Sequence, residues 1–362
     1  MLLFSLELTF LIIFAILQLP QFGKAPGGRR KSRMLQSENY KRGKFHNLEP
    51  TPMMIKTGDQ IDIFKKFFFK NVGDAKPKTR MPGVKIDLHA FDPKANVMVW
   101  FGHSSYFIQQ DGKRFLIDPV LSGYASPFSF AVKNFAGSNE YSAADIPDID
   151  YLVITHDHYD HLDYHTAKAL KGKVAMIITG LGVGAHLVHW GYKESQIKEL
   201  DWHEELKLDE GFTIRALPSR HFSGRTFFRN RTLWCAFALS TPNKKFFLGG
   251  DGGYGKHFKM IGEKYGPFDV AILENGQYNE SWRYIHAMPE ETAQAGLDLG
   301  AKLLMPVHWG KFILSIHSWD EPIRRITKAA TAKNIPLLTP RIGEKINLDH
   351  PAHTHPWWDE VK

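Results

Sequence analysis

The stretch Tyr151-Leu-Val-Ile-Thr-His-Asp-His-Tyr-Asp-His-Leu162 constrains this chain more than any other. Tyr151 to Thr155 have the β-branched and aromatic character of a buried strand. The strand gives way to His156, His158, Asp160 and His161. In extended backbone His156 and His158 fall on one side, and the turn that follows returns Asp160 and His161 toward the same point. Three imidazoles and one carboxylate within six residues form a ligand set for Zn2+ or a similar metal. Four ligands so close together cannot all wrap one ion comfortably, which implies two adjacent metals. The competing view is a polar loop with chance histidines, in a chain that holds 18 of them.

Three later positions weigh against chance. Each is an apolar strand that ends abruptly in a ligand-type residue: Thr213-Ile-Arg-Ala-Leu-Pro-Ser-Arg before His221, Lys245-Phe-Phe-Leu-Gly-Gly before Asp251, and Lys302-Leu-Leu-Met-Pro-Val before His308. Strand ends gathered at one rim of a sheet make a rigid platform, and the glycines around Asp251 permit close backbone approach.

The spacing predicts further strands at Val97–Phe101, Arg114–Asp118, Val174–Ile178, Phe212–Leu217, Leu233–Leu239, Lys245–Leu248, Val270–Leu273 and Leu303–Val307. The first two are joined by a polar turn around Asp111-Gly112. Helices are expected at Tyr164–Leu170, His257–Tyr265, Pro289–Leu299 and Asp320–Lys333, the last with Asp320 as N-cap. Strands that cluster and then alternate with helices give an α/β chain, a four-layer αββα sandwich. The aromatic, turn-rich segment Leu121–Phe135 is a candidate pocket mouth, or plain surface covering.

Before the domain, residues 1–19 are almost wholly apolar, about the length of a membrane-spanning helix. Residues 1–50 hold eight Lys/Arg against three Glu, while the whole 362-residue chain carries only +8. A basic excess beside an apolar N-terminus points to a membrane surface rather than nucleic acid. Lys24, Arg29, Arg30, Lys31 and Arg33 follow the apolar run, which places the catalytic bulk in the cytoplasm behind an uncleaved anchor. An atypical signal peptide on an exported enzyme is the alternative. The expected organisation is an anchor or signal-like helix over 1–22, a linker and peripheral segment over 23–90, and the folded domain over 91–362. Within the linker, Ile61–Lys70 mixes aromatics and lysines, as an interfacial segment or a packed short helix would. The lone Cys235 excludes an intrachain disulfide and reads as a small core residue. His350, His353 and His355 read as a solvated tail.

The ligand order resembles the metallo-β-lactamase superfamily. Gly102-His-Ser-Ser, Ile117-Asp-Pro-Val, Pro218-Ser-Arg-His221, Phe247-Leu-Gly-Gly-Asp-Gly-Gly-Tyr254, Tyr265-Gly-Pro-Phe-Asp269, His286-Ala-Met-Pro-Glu-Glu291 and His308-Trp-Gly310 resemble one branch of it. That branch is the N-acyl-phosphatidylethanolamine-hydrolysing phospholipase D and its bacterial relatives. The resemblance covers about residues 95–320. It implies a binuclear zinc hydrolase of phospholipid phosphodiesters, weakly a homodimer, in which metal-generated hydroxide attacks phosphorus. It implies that His156, His158 and His221 hold one zinc, that Asp160, His161 and His308 hold the other, and that Asp251 bridges them. Asp118 is expected behind the ligands, fixing the orientation of one of them. Asp160, Asp251 and His286 are the expected catalytic residues; His286 would bind substrate or protonate the leaving group. Tyr159, Gln277 and Tyr278 are candidate substrate contacts. The chain departs from the animal enzymes at Glu274-Asn-Gly-Gln-Tyr-Asn279 and over residues 180–190, which leaves the exact lipid open. The rival expectations are a hydrolase of another ester, lactone or phosphate on the same fold, and an inactive membrane-anchored scaffold.

Overall fold

The computed structural model describes residues 2–55, 74–351 and 355–362, with side chains from Glu7 onward. The expected Ile61–Lys70 segment and His353 lie outside the described residues. At the N-terminus stands helix α1 (Leu2–Leu17), followed by α2 (Gly28–Met34) and a hairpin of β1 (Tyr40–Lys41) and β2 (Lys44–Phe45). Two sheets follow. The first carries β3 (Val97–Trp100), β4 (Tyr106–Gln110), β5 (Lys113–Ile117), β6 (Ile149–Ile154), β7 (Val174–Gly180) and β8 (Ile197–Leu200), side by side in that order. The second carries β9 (Glu205–Lys207), β10 (Thr213–Leu217), β11 (Ala236–Ser240), β12 (Lys245–Leu248), β13 (Val270–Glu274) and β14 (Leu304–Val307). A final strand, β15 (Lys345–Asn347), joins the first sheet beside β3.

The period of two along these strands sorts their side chains between two cores. Met98, Trp100, Phe115, Ile117, Tyr151 and Val153 face the second sheet and pack with Ile214, Phe237, Phe247 and Ile272. Their neighbours Val97, Val99, Leu116, Leu152 and Ile154 face outward. That outer face is covered by α3 (Tyr164–Leu170) and α4 (Gly184–His189), through Ala167, Leu170 and Leu187. On the far side of the second sheet lie α5 (His257–Tyr265), α6 (Pro289–Asp298) and α7 (Glu321–Ala332), which bury Ile261, Ala293, Ile323 and Ile326. Covering on both faces is why β3, β4, β13 and β14 are buried at every position. The expected mixed α/β sandwich with flanking helices is the architecture observed.

Chain direction gathers the strand ends at one rim. β5, β6, β7 and β8 run parallel, as do β12, β13 and β14. β10 is antiparallel to β11, which is antiparallel to β12, so β10 points the same way as β12. The carboxyl ends of such strands are where open α/β sheets bind ligands.

Several expectations are corrected. Tyr106–Gln110, placed between the first two predicted strands, is itself a strand. Asp320 does not cap α7 with its side chain, because its carboxylate is taken by Arg324 Nε at 2.6 Å and Ser318 Oγ at 3.1 Å. The C-terminus is not simply a tail: His350 and His355 are exposed, but Trp357 is buried and stacks on Trp309 at 5.4 Å. Above all, residues 20–55 are not linker. Phe22, Met34, Tyr40 and Phe45 are buried, and the Phe45 amide donates to Asn230 O at 2.8 Å. α1 has 16 residues, or about 24 Å, and no helix among the described residues is long and apolar enough to cross a membrane.

If residues 20–55 belong to the domain, Phe45→Ala removes a core side chain. We expect about 3–5 kcal/mol of destabilisation in urea unfolding. A change under about 0.5 kcal/mol would mean that this segment is only attached.

Candidate metal centre

The segment after β6 is held in shape before any ligand is considered. His161 and Leu162 amides both donate to His158 O, at 3.1 and 2.8 Å, which makes the tight turn that folds Asp160 and His161 back. Arg225, buried, donates from Nη1 to Asp157 O at 2.8 Å and Leu162 O at 2.7 Å, closing the turn from outside. Asp157 belongs to no ligand group; its carboxylate accepts from Gly224 N at 2.7 Å and Thr232 Oγ1 at 2.8 Å.

Three overlapping groups of side chains converge at the rim. In one, potential ligand atoms of His156, His158, His221 and Asp251 all lie within 4.8 Å of one another. His156 Nε2 and His158 Nδ1 are 2.9 Å apart, and His221 Nε2 is 3.3 Å from His158 Nδ1. The second group, under the same limit, is His103, Asp160, His161 and His308, and a third, Asp251, Glu274, His286 and His308, overlaps both. Asp251 stands between the first two: Oδ2 is 3.1 Å from His161 Nε2 and 3.7 Å from His221 Nε2, while Oδ1 is 3.2 Å from His308 Nδ1. Gly250, at φ +59°, packs so closely that a Cβ there would stand 2.8 Å from Thr155 Cβ. The expected close approach of backbone beside Asp251 is therefore present.

Electrostatics suits a cation. Burial pushes the imidazoles of His156, His221 and His308 well below the usual histidine range, so they are neutral, as ligands must be. Burial opposes ionisation of Asp251, but the surrounding histidines outweigh it and hold the carboxyl well below the usual carboxylate range. His161 Nε2, His308 Nε2 and Asp251 Oδ1 are buried with no hydrogen-bond partner. Without a metal, burial would lower the His161 ring, but the carboxylates of Asp251, Asp160 and Asp118 outweigh it and raise the ring well above the usual histidine range. Orphaned nitrogen and carboxylate atoms converging in this way fit N/O-ligated divalent metal.

Behind the ligands, Asp118 accepts from His161 Nδ1 at 2.8 Å, Thr155 N at 2.8 Å and Thr155 Oγ1 at 2.6 Å. His221 Nδ1 lies 2.8 Å from Ile285 O, and Ser104 Oγ lies 2.9 Å from His308 Nδ1. His103, Asp118, Gln277 and His308 all hold positive φ, from 42° to 69°. Such backbone strain is kept where surrounding structure over-determines it, commonly at functional sites.

His286 lines a cavity of about 330 Å3 together with His158, Asp160, Asp251, Gln277 and His308. Met53, Met54, Phe222, Trp282, Ile285 and Leu314 make its walls largely apolar. His286 Nδ1 is 2.6 Å from Glu274 Oε2, and Glu274 Oε1 accepts from Ala287 N at 2.8 Å. Burial alone would lower His286, but the Glu274 carboxylate outweighs it and raises the ring above its ordinary value.

Tyr159 and Tyr278 are not brought to the cavity. Tyr159 OH donates to Arg225 O at 2.6 Å, and Tyr278 OH to Glu321 at 2.9 Å. Sequence reasoning missed His103, whose Nε2 lies 2.9 Å from Asp160 Oδ2. It also missed Asn47, which accepts from His221 N at 3.1 Å and donates to His221 O at 2.8 Å. Glu274 was noticed only as a departure from the animal enzymes.

Asp118→Asn keeps the shape but weakens the acceptor that orients His161. It should lower metal affinity by about 10–100-fold in chelator competition at the cluster that holds His161, and leave any binding at the His156, His158 and His221 cluster unchanged. Equal weakening of both would contradict this division of the ligands.

Residues 113–309 match the family model described as a beta-lactamase superfamily domain. An uncharacterised protein of Mycobacterium tuberculosis is 39% identical over 327 residues, covering 89% of this chain and 88% of that one. N-acyl-phosphatidylethanolamine-hydrolyzing phospholipase D 1 of Caenorhabditis elegans is 32% identical over 225 residues, 59% of this chain and 63% of that protein. Among solved structures, the metallo hydrolase Igni18 of Ignicoccus hospitalis superposes with a TM-score of 0.54 at 21% identity, over 70% of this chain and 98% of that one. With its sheets, its rim of ligands and these likenesses together, the chain belongs to the metallo-β-lactamase superfamily of metal-dependent hydrolases.

Proposed function

We propose that this protein is a binuclear zinc phosphodiesterase that hydrolyses glycerophospholipids of the N-acyl-phosphatidylethanolamine type to phosphatidic acid and an N-acylethanolamine. The observation that carries the reading is the cavity itself: two ligand clusters with Asp251 between them, apolar walls, and in its lining His286, which Glu274 holds from behind. A lipid phosphodiester is an anion on an apolar body, and this cavity offers both kinds of surface.

His156, His158, His221 and Asp251 would hold one zinc; Asp160, His161, His308 and Asp251 the other. The metal pair would supply Lewis acidity toward the phosphoryl oxygens and lower the pKa of water enough to furnish a nucleophile near neutral pH. Asp251 holds the two sites in fixed relation, and Asp118 fixes His161 behind them. Glu274 takes His286 Nδ1, so the proton available for transfer is the one on Nε2. From there His286 would protonate the departing alkoxide of the N-acylethanolamine. Met53, Met54, Phe222 and Leu314 would exclude water and receive the lipid's apolar part. α1, with its described side chains from residue 7 to 16 exposed, would hold the protein at the bilayer.

The direct test is purified protein with N-acyl-phosphatidylethanolamine and with other glycerophospholipids, following phosphatidic acid. Release from the N-acyl lipid is the expected result; none from any lipid would favour another ester, lactone or phosphate as substrate. Metal analysis should find about two zincs per chain. Asp251→Ala should lose metal and activity together, whereas His286→Ala should keep the metals and lower kcat by about 10²-fold. In Glu274→Gln, burial becomes the main influence on His286 and its pKa falls. The alkaline limb of the kcat–pH profile should therefore move to lower pH with metal content unchanged; an unmoved limb would exclude His286 as the acid.

A further inference from the structure

We infer that the folded domain carries its own bilayer-docking face, separate from α1, formed by Phe130 on one loop and Phe227 and Phe228 on another. These three rings are 76%, 78% and 60% exposed, which apolar side chains of this size rarely are without a partner. Neither loop is free to place them elsewhere. Phe130 stacks on Phe128 at 5.5 Å, and Phe128 meets Phe22 edge-on at 6.1 Å. One residue earlier, Gln21 O accepts from Arg225 Nε at 3.1 Å and Nη2 at 2.7 Å. Residues 21 and 22 thus tie both loops to the end of α1.

The occupant is identified by charge. Exposed Arg229 and Arg231 follow Phe227 and Phe228 in the same loop, exposed Lys133 lies three residues after Phe130, exposed Lys24 follows the residues that tie the loops, and Arg231 lies over Phe228 at 4.2 Å. Aromatic rings entering an interface while guanidinium and ammonium groups stay at its polar level fit anionic lipid headgroups. A water-soluble protein partner would need surface complementarity, whereas rings set among like charges fit a fluid anionic sheet.

The face also adjoins the cavity. Phe222, a cavity wall, begins the loop that carries Phe227 and Phe228, and Arg229 reaches the sulfur of Met53, a second wall residue. Arg225 in the same loop clamps Asp157 O and Leu162 O of the metal-ligand turn. Docking here would set the metal centre at a fixed height from the headgroups. The inference goes beyond the proposed chemistry and requires no turnover.

Cys235 is the single cysteine and is buried, so introduced cysteines can be labelled selectively in the full chain. Spin labels at Phe130→Cys, Phe227→Cys and, as control, Lys259→Cys on α5 would be tested with phosphatidylglycerol vesicles by oxygen and nickel-chelate collision. At positions 130 and 227, oxygen collision should rise and nickel collision fall on adding vesicles, with position 259 unchanged. In the full chain, Phe227→Ser with Phe228→Ser should lower vesicle affinity by about tenfold or more. Labels at 130 and 227 that stay in water while the chain binds through α1 would overturn the inference. So would failure to bind vesicles, or burial of these positions in a second copy of the chain.

Discussion

The structure depends on one buried carboxylate. Asp251 is 3% exposed and touches imidazoles from two ligand groups. An ionised group so placed is costly unless paired: His161 is held protonated beside it by the surrounding carboxylates, while burial drives His156, His221 and His308 toward neutrality. The arrangement leaves buried polar atoms without partners, as a site that could hold a metal does. The orphaned nitrogens of His161 and His308 sit beside Asp251, and Asp118 accepts three hydrogen bonds behind. His161, His221 and His308 are each held by a group behind them: Asp118, Ile285 O and Ser104 Oγ.

That fixation comes from the sheets. The ligands occupy carboxyl ends of strands whose directions pairing dictates, so their positions follow from the cores that pack those strands. Phe115, Tyr151, Phe237 and Phe247 lie far from any chemistry, yet they set the distance between the sheets and thus between Asp118 or His156 and Asp251. The strained backbone at His103, Asp118 and His308 lies where each chain leaves its strand. Strain of this kind is tolerable because rigid elements hold both sides.

The same geometry explains what could be read from sequence. His156, His158, Asp160 and His161 are local, and local chemistry survives in the primary pattern. His221, Asp251 and His308 were legible because strand-then-ligand is a visible alternation. His103 obeys that rule too: β3 and β5 are both antiparallel to β4, so an imidazole just beyond β3 reaches the same rim. It was overlooked because Gly102-His-Ser-Ser was read only as part of a resemblance. Asn47, Met53 and Met54 had no such signal. Their contribution is made across more than a hundred residues of chain, by hydrogen bonds and wall contacts that leave no period. β8, β9 and β15 were invisible for another reason: Ile197-Lys-Glu-Leu, Glu205-Leu-Lys and Lys345-Ile-Asn are short and half polar. Tyr159 and Tyr278 lie outside the cavity lining, and their hydroxyls are taken by Arg225 O and Glu321, partners that the local sequence does not signal.

The N-terminal segment alters the meaning of the whole. Read as linker, it would separate an apolar helix from an independent catalytic domain. Instead Asn47 braces His221, Met53 and Met54 wall the cavity, and Gln21 receives the arginine that clamps the metal turn. The Lys24 amide continues this connection, donating to His186 Nδ1 at 2.9 Å, while His186 Nε2 meets Asp157 at 3.2 Å. A displacement of residues 20–26 would therefore be felt at Asp157 and the ligand turn through rigid hydrogen-bonded steps rather than through flexible chain. The chain just after the apolar helix and the metal-ligand turn are thus joined by one hydrogen-bonded path through Gln21, Lys24, His186, Arg225 and Asp157.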